Sequence, residues 1–226
     1  MNQHAMDQLP MVTEIAYLSE NSEILSEYQG FLAIHQIYQA AIKEMRTKLE
    51  ILNDEFKVCY AHNPIRHLES RLKTPQSILK KLKRYNLPIS AQSARDNLTD
   101  IAGVRVICHY IDDIYMLADA LLRQEDITLI KKKDYIANPK KNGYRSLHLI
   151  VKIPVCLSDR VEQVPVEIQI RTVGMDFWAC LEHQLSYKQE RVLSEEVSIE
   201  LYECAQTIAE LDRRMQNLYK KAMEET

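Results

Sequence analysis

The segment that ends at Arg171 reads Val-Glu-Ile-Gln-Ile-Arg and alternates aliphatic residues with a carboxylate, an amide and a guanidinium. Successive side chains of a β-strand point to opposite faces, so we expect Glu167, Gln169 and Arg171 to share one face. Asp100 opens a second apolar segment, and with Glu167 it could hold a hard cation such as Mg²⁺, which prefers carboxylate and phosphate oxygens. The alternative is a structural network in which Arg105 and Arg171 neutralise the two acids.

A basic segment precedes these acids. Between Ser70 and Ala94 there is no Asp or Glu, but there are six basic residues: Arg71, Lys73, Lys80, Lys81, Lys83 and Arg84. In a chain whose formal net charge is −3, this concentration favours a polyphosphate ligand. Arg71 and Lys73 should share a strand face, and Ser77 lies near the N-terminus of the following helix, where free N–H groups attract anions. A solvated basic helix face is the simpler alternative.

The loop from 134 to 148 combines an aromatic residue with several cations. Its Asn-Pro and Asn-Gly pairs are turn signals, so we expect an ordered but mobile loop. Tyr144 offers a flat face for a purine, while Lys140, Lys141 and Arg145 offer cationic donors for phosphate. An ordinary exposed loop with a tyrosine packed at its base would show the same residues.

Composition excludes several classes of protein. A chain of 226 residues can bury one core, and its pI of about 6.2 argues against wholesale nucleic-acid binding. Only four glycines occur, and their spacing fits neither a P-loop nor a G-x-G-x-x-G motif, so nucleotides would have to be bound by side chains.

Cysteine usage and hydropathy indicate a cytoplasmic protein. The five cysteines are far apart and form no C-x-x-C motif, which predicts reduced, mostly packed thiols. No apolar run reaches membrane-spanning length, and Asp7 stands where a signal peptide would carry positive charge. His62, His67 and His109 lack metal-ligand spacing, so we expect no metal there.

Helical and extended patterns divide the chain into an N-terminal helical arm (1–60), a core (61–190) and a C-terminal helix (191–226). The core pattern is that of an α/β or α+β fold. We expect strands at 65–73, 100–108, 127–133, 145–153 and 163–171, with helices at 74–85, 113–124 and 174–188. In the C-terminal helix, apolar residues keep a heptad spacing from Val197 to Leu218. Such a stripe needs a partner, which is either the rest of the chain or a second subunit.

Five motifs in order resemble the RelA/SpoT synthetase family, and specifically its stand-alone small alarmone synthetases. The similarity covers roughly residues 60 to 190. The motifs are Ser70-Arg71-Leu72-Lys73-Thr74-Pro75 with Ser77-Ile78-Leu79, Asp100-Ile101-Ala102-Gly103-Val104-Arg105, Asn142-Gly143-Tyr144-Arg145-Ser146-Leu147-His148, Glu167-Ile168-Gln169-Ile170-Arg171-Thr172, and Met175-Asp176-Phe177-Trp178-Ala179 with Glu182-His183.

The resemblance implies an α+β core with a mixed sheet and an enzyme that makes the alarmone (p)ppGpp. The β,γ-diphosphate of ATP would move to the 3′-hydroxyl of GDP or GTP, and AMP would be released. The chain contains no His-Asp dipeptide, the core of the hydrolase motif in the long relatives, so we expect synthesis without hydrolysis. The family also implies a homo-oligomer, specifically a tetramer.

The resemblance also implies a role for individual residues. Donor-side contacts are expected from a guanidinium pair around the adenine, Arg71 and Arg105, and from phosphate contacts, Lys73, Ser77, Lys81 and Arg84. Mg²⁺ is expected on Asp100 and Glu167, with Glu167 and Gln169 orienting or deprotonating the attacking hydroxyl. Acceptor contacts are expected from Tyr144 as the guanine platform, from Asp176 at the guanine edge, and from the basic or imidazole side chains of Lys133, Lys140, Arg145 and His148.

Lys133 departs from part of the family, since some members carry an arginine there; a lysine keeps the charge but loses bidentate pairing. Phe177 and Trp178 are expected in the core behind Asp176.

Two other functions remain open from the residues alone. A related two-carboxylate sheet could direct nucleotidyl transfer, which releases pyrophosphate instead of AMP. A catalytically silent binder of guanine nucleotide or single-stranded RNA could use the same cations and Tyr144 for stacking, although it would gain nothing from Asp100 and Glu167.

Overall fold

Helices and strands alternate along the chain in the computed structural model, which describes residues 22–187 and 193–225. Within those residues the order is α1 (Ser22–Cys59), β1 (Ile65–Leu72), α2 (Pro75–Arg84), α3 (Ala91–Asn97), β2 (Ala102–Cys108), α4 (Ile111–Leu122), β3 (Thr128–Asp134), β4 (Leu147–Cys156), β5 (Val161–Thr172), α5 (Val173–Tyr187) and α6 (Glu195–Glu224).

The five strands form one sheet in the order β1-β2-β5-β4-β3. Strands β2 and β5 are parallel, whereas the other neighbours are antiparallel. The sheet is therefore mixed, and the predicted α+β fold is confirmed. All five predicted strands are present, and their ends differ from the expected ones by a few residues.

Apolar residues on one face of the sheet pack against α1 and α4. Val166, Ile168 and Ile170 of β5 are fully buried there, as their alternation with polar residues predicted. From α1, Tyr38 and Met45 enter the same core. The side chains of the intervening residues of β5 therefore lie on the other face.

Local sequence accounts for most helix starts. The Thr74 side chain accepts a hydrogen bond from the Ser77 backbone and Pro75 occupies the first helical position of α2, as predicted. The short helix α3 was not predicted, because its seven residues are too few to show a helical period. Its Ser90 cap was the available signal, since it accepts from the Ser93 backbone. Residues 1–21 of the predicted N-terminal arm, residue 188 of the predicted helix 174–188, and residues 191, 192 and 226 of the predicted C-terminal helix lie outside the described residues.

Two expectations about burial were wrong. Of the five thiols, Cys108 is buried and the other four are exposed, including Cys156, the last residue of the interior strand β4. Trp178 is buried, but Phe177 is 60% exposed. Consecutive helical residues point about 100° apart, so only one of the two can face α6.

Helix α6 docks on α5 through Ala205, Leu201 and Ile208, which pack with Trp178. Further along the predicted stripe, Leu211, Met215 and Leu218 are about half exposed or more. The described residues thus cover the stripe at Leu201 and Ile208, whereas Val197 at its start is 39% exposed. None of the helices described for this chain is long and apolar enough to cross a membrane.

Candidate active site

Strand register gathers the polar residues of distant segments into one row across the sheet. The directly opposed residues, from β1 to β3, are Glu69, Arg105, Gln169, His148 and Lys133. In the next row Arg71 is opposite Gly103, which is opposite Glu167. A cleft of about 350 Å³ opens over the β1, β2 and β5 part of these rows. This volume is of the order that ligand sites have.

Half of the predicted donor residues line this cleft, together with the two predicted metal ligands and Gln169. Its lining includes Arg71, Lys73, Asp100, Arg105, Glu167 and Gln169. Gly103 lies between Arg71 and Glu167 and also lines the cleft, so the missing side chain leaves its floor open. Residues predicted from three separate motifs thus meet because β1, β2 and β5 pair side by side.

Asp100 is held by two lysines. The Nζ atoms of Lys73 and Lys81 lie 2.5 Å and 2.6 Å from its Oδ2 atom. Burial raises the pKa of the Asp100 carboxyl, but the two lysines outweigh burial and hold that pKa below its ordinary value. Its Oδ1 atom is buried and has no hydrogen-bond partner among the described residues.

That unpartnered oxygen fits a metal ligand. Mg²⁺ takes one or two protein carboxylates and completes its coordination with water and substrate phosphate. Asp100 and Glu167 line the same cleft and supply such a carboxylate pair. The described residues contain no group of three or more His, Cys, Asp or Glu side chains that could hold a metal by itself. A two-carboxylate site therefore requires oxygen ligands from the nucleotide.

The other two predicted phosphate contacts lie on α2. The Ser77 hydroxyl accepts a hydrogen bond from Thr74 Oγ1 at 2.9 Å, at the first turn of the helix. Arg84 is exposed at the far end, with its guanidinium carbon 5.2 Å from the centre of the Tyr85 ring. Ser77 is thus close to Lys73 and Lys81 in the fold, whereas Arg84 lies at the opposite end of the helix.

Glu167 belongs to a closed ring of hydrogen bonds. Its Oε1 atom lies 3.3 Å from His148 Nδ1, and its Oε2 atom accepts from Gln169 Nε2 at 3.0 Å. His148 Nε2 lies 2.7 Å from the Tyr144 hydroxyl. Arg171 closes the ring, because its Nη2 atom donates to the Tyr144 hydroxyl at 2.7 Å and to Gln169 Oε1 at 2.8 Å.

The ring keeps Glu167 ionised. Burial raises the pKa of its carboxyl, but the hydrogen bonds from His148 and Gln169 outweigh burial, so the pKa lies below its ordinary value. A carboxylate held in this way can orient a hydroxyl group or accept its proton.

Tyr144 is less accessible than predicted. Its side chain packs with Trp178, Ala179 and Ala205, and 9% of the residue is exposed. Lys140 Nζ lies 4.5 Å from the ring centre. Stacking of a purine on this ring would therefore displace Lys140, which is exposed and also lies 4.8 Å from the centre of the Tyr135 ring.

Two predicted acceptor residues are placed differently from the expectation. Both ring nitrogens of the buried His148 are engaged, by Tyr144 and Glu167, so neither faces a phosphate in this structure. Arg145 donates to the backbone carbonyls of Gly143 and Ala205 and to the Gln206 side chain, and so anchors the loop to α6. Its position immediately after Tyr144 turns it away from the sheet face. Lys133, in contrast, lies opposite His148 as part of the polar row.

Asp176 lies where two arginines meet. Its Oδ1 atom is 3.0 Å from Arg171 Nη1 and 3.4 Å from Arg105 Nη1, and Arg105 also pairs with Glu69 at 3.2 Å. The acids that pair with Arg105 and Arg171 are therefore Glu69 and Asp176, and among the described residues these arginines do not form the alternative network with Asp100 and Glu167. Glu69 was not predicted as a site residue, although its spacing of two from Arg71 on the same strand was a signal.

A mixed sheet that carries two acids among several cations in one cleft is the arrangement of a nucleotide-dependent phosphotransferase. The sequence matches the model of a family described as a region found in RelA / SpoT proteins, over residues 70–192. The chain belongs to this family.

Individual relatives are similar to this chain in sequence and in structure over most of its length. GTP pyrophosphokinase YwaC of Bacillus subtilis is 40% identical over 211 residues, which cover 93% of this chain and 99% of the relative. The crystal structure of small alarmone synthetase 1 from Bacillus subtilis bound to its product pppGpp is similar with a TM-score of 0.79 at 34% identity, covering 84% of this chain and 97% of that one. The structure of the same synthetase bound to AMPCPP gives 0.72 at 29% identity, covering 86% and 99%.

Proposed function

We propose that this protein is a (p)ppGpp synthetase, a GTP pyrophosphokinase that transfers the β,γ-diphosphate of ATP to the 3′-hydroxyl of GDP or GTP. The observation that carries the proposal is the single cleft in which Asp100 and Glu167 lie among Arg71, Lys73 and Arg105. The relative that is 40% identical is named a GTP pyrophosphokinase, and the similar solved structures hold pppGpp or AMPCPP. These names agree with the chemistry that the cleft offers.

The donor half of the site lies toward β1 and α2. Arg71 and Arg105 flank the cleft at the position proposed for adenine, with Arg71 the more exposed of the two. Lys73 and Lys81 pair with Asp100, and with Ser77 in the first turn of α2 they form the proposed triphosphate contacts. Arg84, at the end of α2, would reach only the outermost phosphate oxygens.

The acceptor half lies toward β4, β5 and α5. Tyr144 is the proposed guanine platform, and Asp176 is the proposed reader of the guanine edge, because a carboxylate accepts from N1–H and the exocyclic amine while adenine offers no such donor pair. Lys140 and Lys133 are the cations available for the acceptor phosphates. Arg145 and His148 are proposed to support the platform, since their hydrogen bonds go to α6 and to Glu167.

The reaction follows from placing the two nucleotides on either side of Glu167. The 3′-oxygen of the acceptor attacks the β-phosphorus of ATP, the bond from that phosphorus to the α,β-bridging oxygen breaks, and AMP leaves. Glu167, held by Gln169 and His148, accepts the hydroxyl proton. General-base assistance of this kind contributes about 10²- to 10⁴-fold. Arg71, Lys73 and Lys81 hold the donor in line and neutralise charge on the transferred group.

Asp100 and Glu167 are the residues that would hold Mg²⁺. The ion would neutralise negative charge on the diphosphate when it is bound.

We further propose that the chain assembles as a homotetramer through its helical arms, because the second half of the α6 stripe is left exposed in a single chain. The organisation is an arm (1–60), a synthetase core (61–190) and a C-terminal helix (191–226) within one domain. Its nucleotide substrates and free thiols favour a cytoplasmic location.

The fate of a labelled phosphate of ATP tests which part of ATP is transferred. With ATP labelled in the γ-phosphate, the label should appear in a guanosine product, and with ATP labelled in the α-phosphate it should appear only in AMP. Label from the α-phosphate in the guanosine product would instead identify nucleotidyl transfer. No transfer, with both nucleotides bound, would indicate a silent binding protein.

A further inference from the structure

Arg171 contacts three residues of the acceptor half of the site, although it does not touch Glu167 in the hydrogen-bond ring. Its Nη1 atom donates to Asp176 Oδ1, and its Nη2 atom donates to Tyr144 and Gln169. The residue is 4% exposed, so these contacts are shielded from water. Arg171 therefore joins the proposed guanine platform, the guanine reader and the amide that supports Glu167.

A guanidinium group has only donors and an ionised carboxylate has only acceptors, so Arg171 and Glu167 together fix the direction of the hydrogen bonds between them. Because Arg171 donates to the Tyr144 oxygen, the single Tyr144 O–H is free to donate to His148 Nε2. That nitrogen accepts from this O–H, because Nδ1 of the same ring faces the Glu167 carboxylate, which can only accept. The ring proton of a neutral His148 therefore lies on Nδ1 and is donated to Glu167 Oε1.

The directions of the hydrogen bonds through Gln169, on the other side of the ring, are fixed in the same way. Arg171 donates to Gln169 Oε1, so the amide nitrogen of Gln169 must be the group that faces Glu167 Oε2. Both chains of hydrogen bonds that start at Arg171 thus end as N–H groups that donate to the two oxygens of Glu167. Reversal of either chain of hydrogen bonds would place an acceptor against the carboxylate.

Stability alone does not explain an arginine at this position. Its Nε atom is buried without a hydrogen-bond partner among the described residues, and such a donor lowers stability. Buried ion pairs like Arg171 with Asp176 are often no more stable than apolar residues of similar volume. These costs favour a functional role for the side chain.

We propose that Arg171 is a positioning residue of the acceptor half-site, which directs two hydrogen bonds onto Glu167 and locks Tyr144 and Asp176 to the same frame. The base and the guanine site then form one rigid unit, so that the 3′-hydroxyl of a bound guanine nucleotide arrives at Glu167 in a fixed position. The catalytic consequence rests on the function proposed above.

Arg171→Lys is the sharpest variant, because it keeps the charge beside Asp176 but cannot span three acceptors with one nitrogen. We expect kcat per folded molecule to fall by about 100-fold, as a small misplacement of reacting groups does. The KM for ATP should change less than about threefold, since the donor half lies on β1, β2 and α2. Arg160→Lys is the matched control, because Arg160 is an exposed guanidinium that also binds two carboxylates, and kcat should be unchanged there.

If Arg171 only stabilised the fold, the result would be different. In that case Arg171→Lys would lower the unfolding temperature while kcat per folded molecule stayed within threefold of the wild type. That outcome would overturn the proposal.

Tyr144→Phe tests one of the two chains of hydrogen bonds without changing the charge and remains informative if Arg171→Lys does not fold. It removes the hydroxyl that Arg171 and His148 share, but keeps the ring. We expect kcat to fall by about tenfold while the KM for GDP is unchanged. If Arg171→Lys folds, Tyr144→Phe should have little further effect in that background, and fully additive effects would contradict the coupling.

The tautomer of His148 gives a readout that needs no turnover. With ¹⁵N-labelled histidine, NMR of the wild type should show neutral His148 protonated on Nδ1, and Arg171→Met should show a mixture of both tautomers. His148→Gln assigns the resonance. An Nε2-protonated ring in the wild type would overturn the role of Arg171 even in an active enzyme, whereas the expected tautomer in an inactive protein would overturn only the reaction.

Discussion

The hydroxyl of Tyr144 lies 2.7 Å from Nε2 of His148, and the other nitrogen of His148 lies 3.3 Å from Glu167. The ring proposed to stack on guanine is therefore hydrogen-bonded to the residue that supports the proposed base. In the proposed mechanism, substrate recognition and proton transfer therefore share one network.

Tyr144→Ala should weaken acceptor binding, because the stacking face is lost. We expect the KM for GDP to rise by an amount equivalent to about 1–3 kcal/mol, the usual range for a base stacked on an aromatic side chain. Since the residue is buried, the variant should also lose about 3 kcal/mol of unfolding free energy. Steady-state kinetics and urea unfolding measure the two effects separately. An unchanged acceptor KM would remove Tyr144 from the guanine site.

Arg71→Ala should affect the donor alone. Arg71 is exposed at the edge of the cleft, so its removal should leave stability unchanged. Loss of a guanidinium stacked on adenine should raise the KM for ATP by about fivefold, as expected from the ~1 kcal/mol typical of such contacts. Lys80→Ala, in the same basic segment, is the control. Equal effects of the two variants would indicate a general electrostatic role instead of an adenine contact.

Asp212→Asn tests the contact between α6 and the end of β5. Thr172 Oγ1 donates to Asp212 Oδ2 at 2.6 Å. Burial raises the pKa of Asp212 above its ordinary value, although Thr172 and Arg145 partly oppose the shift. A raised pKa in the folded state means that ionisation disfavours folding, so the contribution of this group is greatest at low pH and is lost as the pH rises through the folded pKa.

Asparagine keeps an oxygen for Thr172 without the charge. The variant should therefore be at least as stable as the wild type at pH 7, and its advantage should shrink as the pH falls toward 4. Urea unfolding of both proteins between pH 4 and pH 8 checks this. A less stable variant at pH 7 would show that the ionised carboxylate is favourable in the fold.

Leu211→Glu and Leu218→Glu should disrupt the proposed tetramer. The two leucines are 55% and 59% exposed in the single chain, on the part of the apolar stripe of α6 that the described residues leave exposed. Light scattering after gel filtration should show the wild type as a tetramer and both variants as smaller species. Lys221→Glu, at an exposed polar position of the same helix, should leave the mass unchanged. A monomeric wild type at all concentrations would contradict the assembly.

The fold was largely predictable because its signals are local. The alternation in β5 and the Thr74-Pro75 start of α2 each specify one element, and both are present. The short helix α3 was not predicted, because the periodic spacing of apolar residues in a helix shows only over more residues than α3 contains.

The sequence predicted which residues line the candidate site better than it predicted the contacts that they make. Residue type identified Asp100, Glu167 and Arg105, and strand pairing brings them to one cleft. Sequence could not show that Arg105 would pair with Asp176, because that contact joins β2 to α5 across the fold. It also could not show that His148 would be buried with both nitrogens engaged, since burial depends on how the loop packs under α6.

Glu167→Gln should abolish transfer while the protein stays folded. The amide keeps the volume of the carboxylate but can neither accept the hydroxyl proton nor bind a cation as well. Circular dichroism should be unchanged. Substantial turnover in this variant would remove Glu167 from the mechanism.

The most direct measurement is to incubate the purified protein with Mg²⁺, ATP and GDP or GTP and to separate the nucleotides by anion-exchange chromatography. The wild type should form AMP in equal amount with a guanosine product that carries two more phosphates, and Glu167→Gln should form neither. Release of pyrophosphate without AMP, or binding of both nucleotides without any product, would contradict pyrophosphate transfer as the function of this protein.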